Sequence, residues 1–392
     1  MSVLDLGRTP LANAFRTPDQ STQPLPTYPL VVVFCSECAL VQLTESVSPE
    51  ILFAHYPYFS SVSETMTASA SALAGRLCVD RRLGATSRII EIASNDGYLL
   101  RAYQERGIPV LGVEPAVNVA QIAQSRGIPT VVRFFDRALA EEMRAEGLLA
   151  DVVHANNVLA HVPDLNGFLT GVGRLLKDEA VAVLEVPYVR DMIERVEFDT
   201  IYHEHLCYFS GTALDRACRR NGLALRDVER LKIHGGSLRL TVALTGGGSA
   251  AVSGLLAEEA SAGLDSGSFF TGFEERVRRL QAELLSLLHD LKARGKRVVA
   301  YGASAKGMTL LNCLGIGSDV LDFVVDRSPF KRGLVTPGSN LPILDPSSLV
   351  EAMPDYALLL AWNLADEVLN QQGEYRRRGG RFIIPIPKPT LL

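Results

Sequence analysis

The chain has 392 residues, 47% hydrophobic and 21% charged, with a formal net charge of -5. This is soluble, globular composition, long enough for two to three domains. The acidic balance argues against general nucleic-acid binding, and no run of about 18 apolar residues is present to span a membrane.

Met1 to Ala12 mixes Asp5 and Arg8 into apolar sequence and does not read as a signal peptide. Six cysteines spread over the chain make no disulfide framework, so a cytoplasmic setting is expected. Residues 1–60 are Pro-rich and read as irregular, with one strand-like run at Leu30 to Phe34. That run leads into Cys35-Ser36-Glu37-Cys38, half of a zinc-ribbon spacing. Structural zinc needs four ligands, and no second Cys-x-x-Cys exists.

A helix is expected from Ser63 to Leu83, where Ala and Leu recur at helical spacing. A βαβ series follows. Ile89 to Ile92, Val110 to Val113, Asp151 to Ala155 and Ala180 to Val186 read as buried strands. Helices are expected from Tyr98, over Asn118 to Arg126, and over Leu165 to Leu176. Continuous apolar strands alternating with helices imply a parallel sheet covered on both faces. Tyr202-His203-Glu204-His205-Leu206-Cys207-Tyr208 then breaks all periodicity. A helix over Asp215 to Asn221 and strands near 223–230 and 238–244 come next, and Gly246 to Ser249 reads as a turn or linker. A long amphipathic helix is expected over Phe270 to Arg294. A second βαβ series starts at Val298 to Tyr301 and includes Leu321 to Asp326, Tyr356 to Leu360 and Phe382 to Pro385.

Three constellations carry chemistry. The first is Glu91-Ile92-Ala93-Ser94-Asn95-Asp96-Gly97, a strand, turn and helix start with one glycine. A dinucleotide pyrophosphate needs more glycines for close backbone approach. S-adenosylmethionine has no phosphate, and an acidic strand end suits it better. Glu91, Ser94, Asn95 and Gly97 are candidate cofactor residues. Glu114 ends the second strand, where a carboxylate can accept from ribose hydroxyls. The alternative is a generic turn with a solvated Glu114.

The second is Tyr301-Gly302-Ala303-Ser304-Ala305-Lys306-Gly307, which resembles a dinucleotide turn with serine at the middle glycine position. A nicotinamide oxidoreductase is the rival reading here. A side chain at Ser304 obstructs a pyrophosphate, whereas Ser304, Lys306 and a helix N-terminus suit a sugar-linked diphosphate. The third is the Tyr202, Glu204, His205 cluster, with His161 after the strand that carries Asn156 and Asn157. These supply a base, an orienting carboxylate and a phenolic donor at the carboxyl ends of strands. A catalytically silent scaffold, in which these histidines are structural, is the other rival.

These motifs resemble bacterial S-adenosylmethionine-dependent sugar C-methyltransferases, which methylate C3 of nucleotide-linked 4-keto-6-deoxysugars for antibiotic glycosides. Pro10-Leu11-Ala12-Asn13, Cys35 to Leu43, Tyr58-Phe59-Ser60-Ser61, Glu91 to Gly97 and Asn156 to His161 carry the resemblance. Tyr202 to His205, His234 to Arg239, Gly302 to Gly307, Ala361-Trp362-Asn363 and Ile384 to Pro387 extend it over nearly the whole chain.

The resemblance implies an α/β fold in three parts. These are a small zinc-binding-like module over 1–62, a Rossmann-like methyltransferase domain over 63–245, and a C-terminal Rossmann-like domain over 246–392 that holds the sugar nucleotide. It implies His205 as base, with Glu204, Tyr202 and His161 around it. It also implies Tyr56 as a tyrosine reaching in from the N-terminal module, with Tyr58 the alternative. Asn156 and Asn157 join the cofactor residues, and Trp362 and Asn363 join Ser304 and Lys306 on the substrate. The cofactor expected is S-adenosylmethionine, the partner a nucleotide-linked sugar and the state a monomer; a methyltransferase acting on another activated carbon, or on a sugar position other than C3, is the closer alternative. Members of the family carry a first Cys-x-x-Cys before the segment matching Leu4 to Gly7, where this chain starts. Cys35 and Cys38 are therefore candidate ligands of an incomplete site. Either the start is assigned late or half the site has been lost.

Overall fold

The computed structural model describes residues 1–53 and 59–392, with the backbone alone at His234. Tyr56 and Tyr58 lie outside the described residues. Three sheets are present among them.

The N-terminal segment is a sheet, not irregular chain. Ser2–Pro10, Thr27–Phe34 and Val41–Leu43 pair antiparallel, and Cys207–Tyr208 adds a fourth strand beside Val41–Leu43. The first strand hides from sequence reading because its alternation is interrupted. Gly7 has φ +75°, and the register shifts between Asp5 and Arg8. The Tyr202–Tyr208 cluster is thus partly strand, and it ends locked into the N-terminal module.

The second sheet has seven strands, with Ile89–Ile92 between Val110–Val113 and Ala150–Asn156. These pairings are parallel, with Ile89 opposite both Val110 and Val152. All four residues of Ile89–Ile92 are buried, as a strand covered on both faces requires. Each buried isoleucine there contributes about 1.5–3 kcal/mol. Leu176–Pro187 continues the sheet, and the antiparallel hairpin of Ala224–Leu231 and Ser237–Ala243 closes that side. The third sheet has six strands, with Val298–Tyr301 parallel to Tyr356–Leu359 and to Val324–Val325. The expected strand over Leu321 to Asp326 is shortened to those two residues.

The expected helices are present with shifted ends. Glu64–Asp80 starts at a Ser63 cap, and Phe273–Ala293 buries Phe273, Val277, Leu280, Leu284, Leu288 and Leu291 at helical spacing. The Gly246 to Ser249 stretch is no free linker. Ser249 caps a further helix, Ala250–Ala262, that sequence reading missed because its apolar residues are not confined to one stripe. One core runs through all three sheets, taking in Leu4, Val32, Ile90, Leu184, Val298 and Leu358. This shared core places the carboxyl ends of both parallel sheets around one space. Among the described residues, no helix is long and apolar enough to cross a membrane.

Candidate active site

That space is a cavity of about 600 Å³, walled by residues of all three modules. Asn95, Glu114, Asn156 and Asn157 line it from the second sheet. His161, Tyr202 and His205 line its centre, and Ser304, Lys306 and Asn363 line it from the third sheet.

The cofactor end is built on the turn after Ile89–Ile92. Ala93, Asn95 and Gly97 all have positive φ, between +51° and +78°. A side chain at Gly97 would strike Ile128, so glycine is required for packing as well as for the turn. Glu114 holds the turn from the next strand. One carboxylate oxygen accepts from the Asn95 amide and the other from the Ala116 amide, both at 2.9 Å. Burial raises its pKa, and those two amides oppose the rise. Ser60 donates its amide to Asn95 Oδ1 at 2.8 Å, and Ser61 bonds Asp96, so the segment before Glu64–Asp80 straps the turn from outside.

Glu91, Ser94 and Gly97 are not in the wall. Glu91 is buried beneath it with its pKa raised well above normal by desolvation, then by Asp96 and Glu114. Ser94 is buried against Gly112. Ile92, Val113, Phe134 and Phe135 give this end apolar walls, and the buried Asn156 Oδ1 has no hydrogen-bond partner among the described residues. Apolar walls for an adenine, a buried carboxylate and an orphaned amide oxygen fit S-adenosylmethionine.

At the centre, two bonds set the tautomer of the neutral His205 imidazole. Its Nδ1 lies 2.9 Å from the Thr200 carbonyl, which only accepts, so Nδ1 carries the proton. Nε2 is then the acceptor, 2.8 Å from the Tyr202 hydroxyl, which donates to it. The Tyr202 and His205 ring centroids lie 4.1 Å apart, with the planes tilted by 32°. The His161 ring is 4.9 Å from His205, edge to face. Burial drives the His161 pKa down to about 4, so it is a neutral neighbour. His203, the other histidine of the run, points away and donates to the Tyr28 carbonyl at 3.2 Å.

Glu204 is also absent from the wall. Its Oε1 accepts from the Asn13 amide at 2.7 Å, and Asn13 faces the cavity in its place. No hydrogen bond to the His205 ring is seen from its carboxylate.

At the third sheet, Ser304 caps Ala305–Leu314, its hydroxyl accepting from the Gly307 amide at 3.1 Å. A Cβ at Gly307 would strike Leu360, which explains the glycine by helix-to-strand packing. Asp326 accepts from the Ala303 amide at 2.7 Å, as Glu114 does at the other turn. Lys306 lies over the Trp362 ring at 4.8 Å. Trp362 stands behind Lys306 rather than in the wall. Lys331 and Arg327 also line the cavity, and both were missed by sequence reading. Lys331 is buried and donates to the Ala303 carbonyl at 2.7 Å. No motif marks Arg327, Lys331 or Phe134, and Pro10-Leu11-Ala12-Asn13 gives no role to Asn13, because only the tertiary fold brings these residues to the cavity.

Cys35 and Cys38 are both free thiols in the turn before Val41–Leu43. No group of three or more potential ligands occurs among the described residues. Two thiols supply half of a four-ligand structural site, so these residues do not fit a complete zinc centre.

A doubly wound sheet with an acid-held turn at one end of the cavity and a hydrogen-bonded Tyr202–His205 pair at its centre fits a methyltransferase-type enzyme. Residues 64–228 match a methyltransferase domain family, residues 232–387 a C-methyltransferase C-terminal domain, and residues 1–53 a putative zinc binding domain. The chain is 36% identical to C-methyltransferase NovU of Streptomyces niveus over 100% of its own length and 94% of the relative's. A ubiquinone biosynthesis O-methyltransferase of Azorhizobium caulinodans is 31% identical over 25% of this chain and 39% of the relative. Magnesium protoporphyrin IX methyltransferase from Synechocystis PCC 6803, solved with bound SAM, has 14% identity and a TM-score of 0.35, covering 46% of this chain and 79% of that one. That last likeness is too slight to bear on function. The chain belongs to the C-methyltransferase family, and it is an S-adenosylmethionine-dependent enzyme. The oxidoreductase and silent-scaffold readings fall with that assignment.

Proposed function

We propose that the enzyme methylates carbon C3 of a nucleotide-linked 4-keto-6-deoxysugar, in the service of antibiotic glycoside assembly. The observation that carries this is one cavity holding a Tyr202–His205 proton-transfer pair between an acid-held cofactor turn and a cationic turn. Residues 1–62, 63–245 and 246–392 are read as the three cooperating units. All three come from the same chain, which supports action as a monomer.

A C4 ketone acidifies the C3 proton. His205 Nε2 takes that proton, directly or through the Tyr202 hydroxyl already donating to it, and Thr200 steadies the ring as charge develops. His161, held neutral, polarises the enolate oxygen. On the family resemblance, Tyr56 is kept as a further catalytic residue. Asn95, Glu114, Asn156 and Asn157 hold the cofactor, with Glu91, Ser94 and Gly97 shaping its turn from below. Bound S-adenosylmethionine supplies an electrophilic methyl group for the carbon so exposed. Ser304, Lys306 and Asn363 hold the diphosphate and nucleoside, with Lys331 and Arg327 adding charge. Trp362 steadies Lys306.

The test is incubation with methyl-labelled S-adenosylmethionine and a panel of nucleotide-linked keto sugars, read by mass spectrometry. One labelled methyl on carbon beside the ketone is expected. A methyl on oxygen, or transfer only to unlinked sugars, overturns the proposal.

A further inference from the structure

We infer that Asn13 contacts a hydroxyl of the methyl acceptor, and that Glu204 is the positioning residue that sets its orientation. This rests on the reading of the cavity as the acceptor site.

Glu204 sits between His203 and His205, yet it is only 2% exposed and takes no part in the cavity wall. Asn13 does take part, from the segment after the first strand of the N-terminal sheet. The two meet at 2.7 Å across 191 positions of sequence. An asparagine amide has an NH2 end with two N–H donors and an accepting carbonyl oxygen. Glu204 Oε1 takes one N–H, which fixes the amide's orientation and leaves the carbonyl Oδ1 to take a donor from a ligand. A neutral partner able both to donate and to accept would tolerate either orientation; a carboxylate does not.

The chemistry of the ligand group follows. A carbonyl oxygen takes a donor, so it selects a hydroxyl of the sugar and not its ketone, which only accepts. Glu204 is next in sequence to His205, so this contact falls beside the proton-transfer pair. The N-terminal module thereby takes part in choosing the acceptor.

The experiment is steady-state kinetics on the keto sugar that the wild-type enzyme turns over, with Asn13→Ala, Glu204→Ala, Glu204→Gln and the Asn13→Ala/Glu204→Ala double variant. A lost ligand hydrogen bond raises acceptor KM about tenfold. Because the contact is made in ground and transition states alike, kcat stays within about threefold. KM for S-adenosylmethionine is unmoved. The double variant is little worse than either single, since both remove one contact. Glu204→Gln, which keeps an oxygen for the Asn13 amide, recovers most of the loss seen with Glu204→Ala. An acceptor lacking the recognised hydroxyl loses its tenfold against wild type but not against Asn13→Ala.

If Asn13→Ala lowers the melting temperature while acceptor KM stays put, the pair is a strut between modules and the inference fails. Additive losses in the double variant also overturn it. Absence of wild-type turnover on every nucleotide-linked keto sugar defeats the acceptor reading itself, and this assignment with it. Normal turnover with unmoved KM defeats the assignment alone.

Discussion

The indole N–H of Trp362 donates to Asp199 Oδ2 at 2.7 Å, joining the C-terminal sheet to the turn that precedes the histidine run. Asp199 is fully buried, and Lys306 rests over the same indole. The next residue, Thr200, offers the carbonyl that keeps the proton on His205 Nδ1. One contact thus links the cationic turn to the tautomer of the proposed base.

Trp362→Phe keeps the ring under Lys306 and removes the donor. Losing a hydrogen bond to a buried carboxylate costs about 1.5–3 kcal/mol. Urea unfolding at pH 8 is expected to show a loss of that size, together with a fall in kcat as the Thr200 carbonyl is released. A variant as stable and as active as wild type would mean the contact is incidental.

Stability should decline as the medium becomes alkaline. Burial raises the Asp199 pKa to about 6 and the Glu197 pKa to about 8, with Lys306 opposing in both cases. Each unfolded carboxyl releases its proton near its ordinary value, while the folded one retains it to higher pH. The unfolded state is therefore favoured as pH rises, from about 4 to 6 for Asp199 and from about 4.5 to 8 for Glu197. Melting temperature is expected to fall between about pH 4 and pH 8, and Glu197→Gln to flatten the upper part of that fall. An unchanged slope in the variant would contradict the assignment.

Removing the proposed base has a distinct signature. His205→Ala is expected to lower kcat by about 10²–10⁴ while S-adenosylmethionine affinity, measured by calorimetry, stays within threefold. Tyr202→Phe removes the phenol that donates to Nε2 and should also lower kcat. Turnover within about threefold of wild type for His205→Ala excludes it as base.

Glu114 organises the cofactor turn through two backbone amides. Glu114→Ala leaves the Asn95 and Ala116 amides without their acceptor, each a charge-assisted bond. Affinity for S-adenosylhomocysteine should fall about 10- to 100-fold, with acceptor binding spared. Equal loss of both ligands would point to general unfolding instead.

The parallel sheets and their turns were legible because buried strands read as continuous apolar runs and turns as glycine and polar punctuation. Asn95, Glu114 and Lys306 stand where chain order alone puts them, beyond the carboxyl ends of strands, whereas His205 lies in the turn before Cys207–Tyr208. The N-terminal sheet was not legible, since Gly7 and a register shift break the alternation of its first strand. Side-chain direction was equally hidden. Glu91, Glu204 and Trp362 belong to the right motifs yet sit behind the wall, Glu204 against Asn13 and Trp362 under Lys306. Nothing local distinguishes a carboxylate that meets a ligand from one that holds the residue that does.

Hydrogen exchange at the acceptor carbon tests the central claim most directly. The enzyme is incubated in D2O with a nucleotide-linked 4-keto-6-deoxysugar and S-adenosylhomocysteine, which cannot donate a methyl, and exchange at C3 is followed by NMR. Wild type is expected to exchange the C3 proton, and His205→Ala to do so about 10²-fold or more slowly. Exchange that is no faster with enzyme than without it, or that survives undiminished in His205→Ala, would contradict base-assisted enolisation at this imidazole.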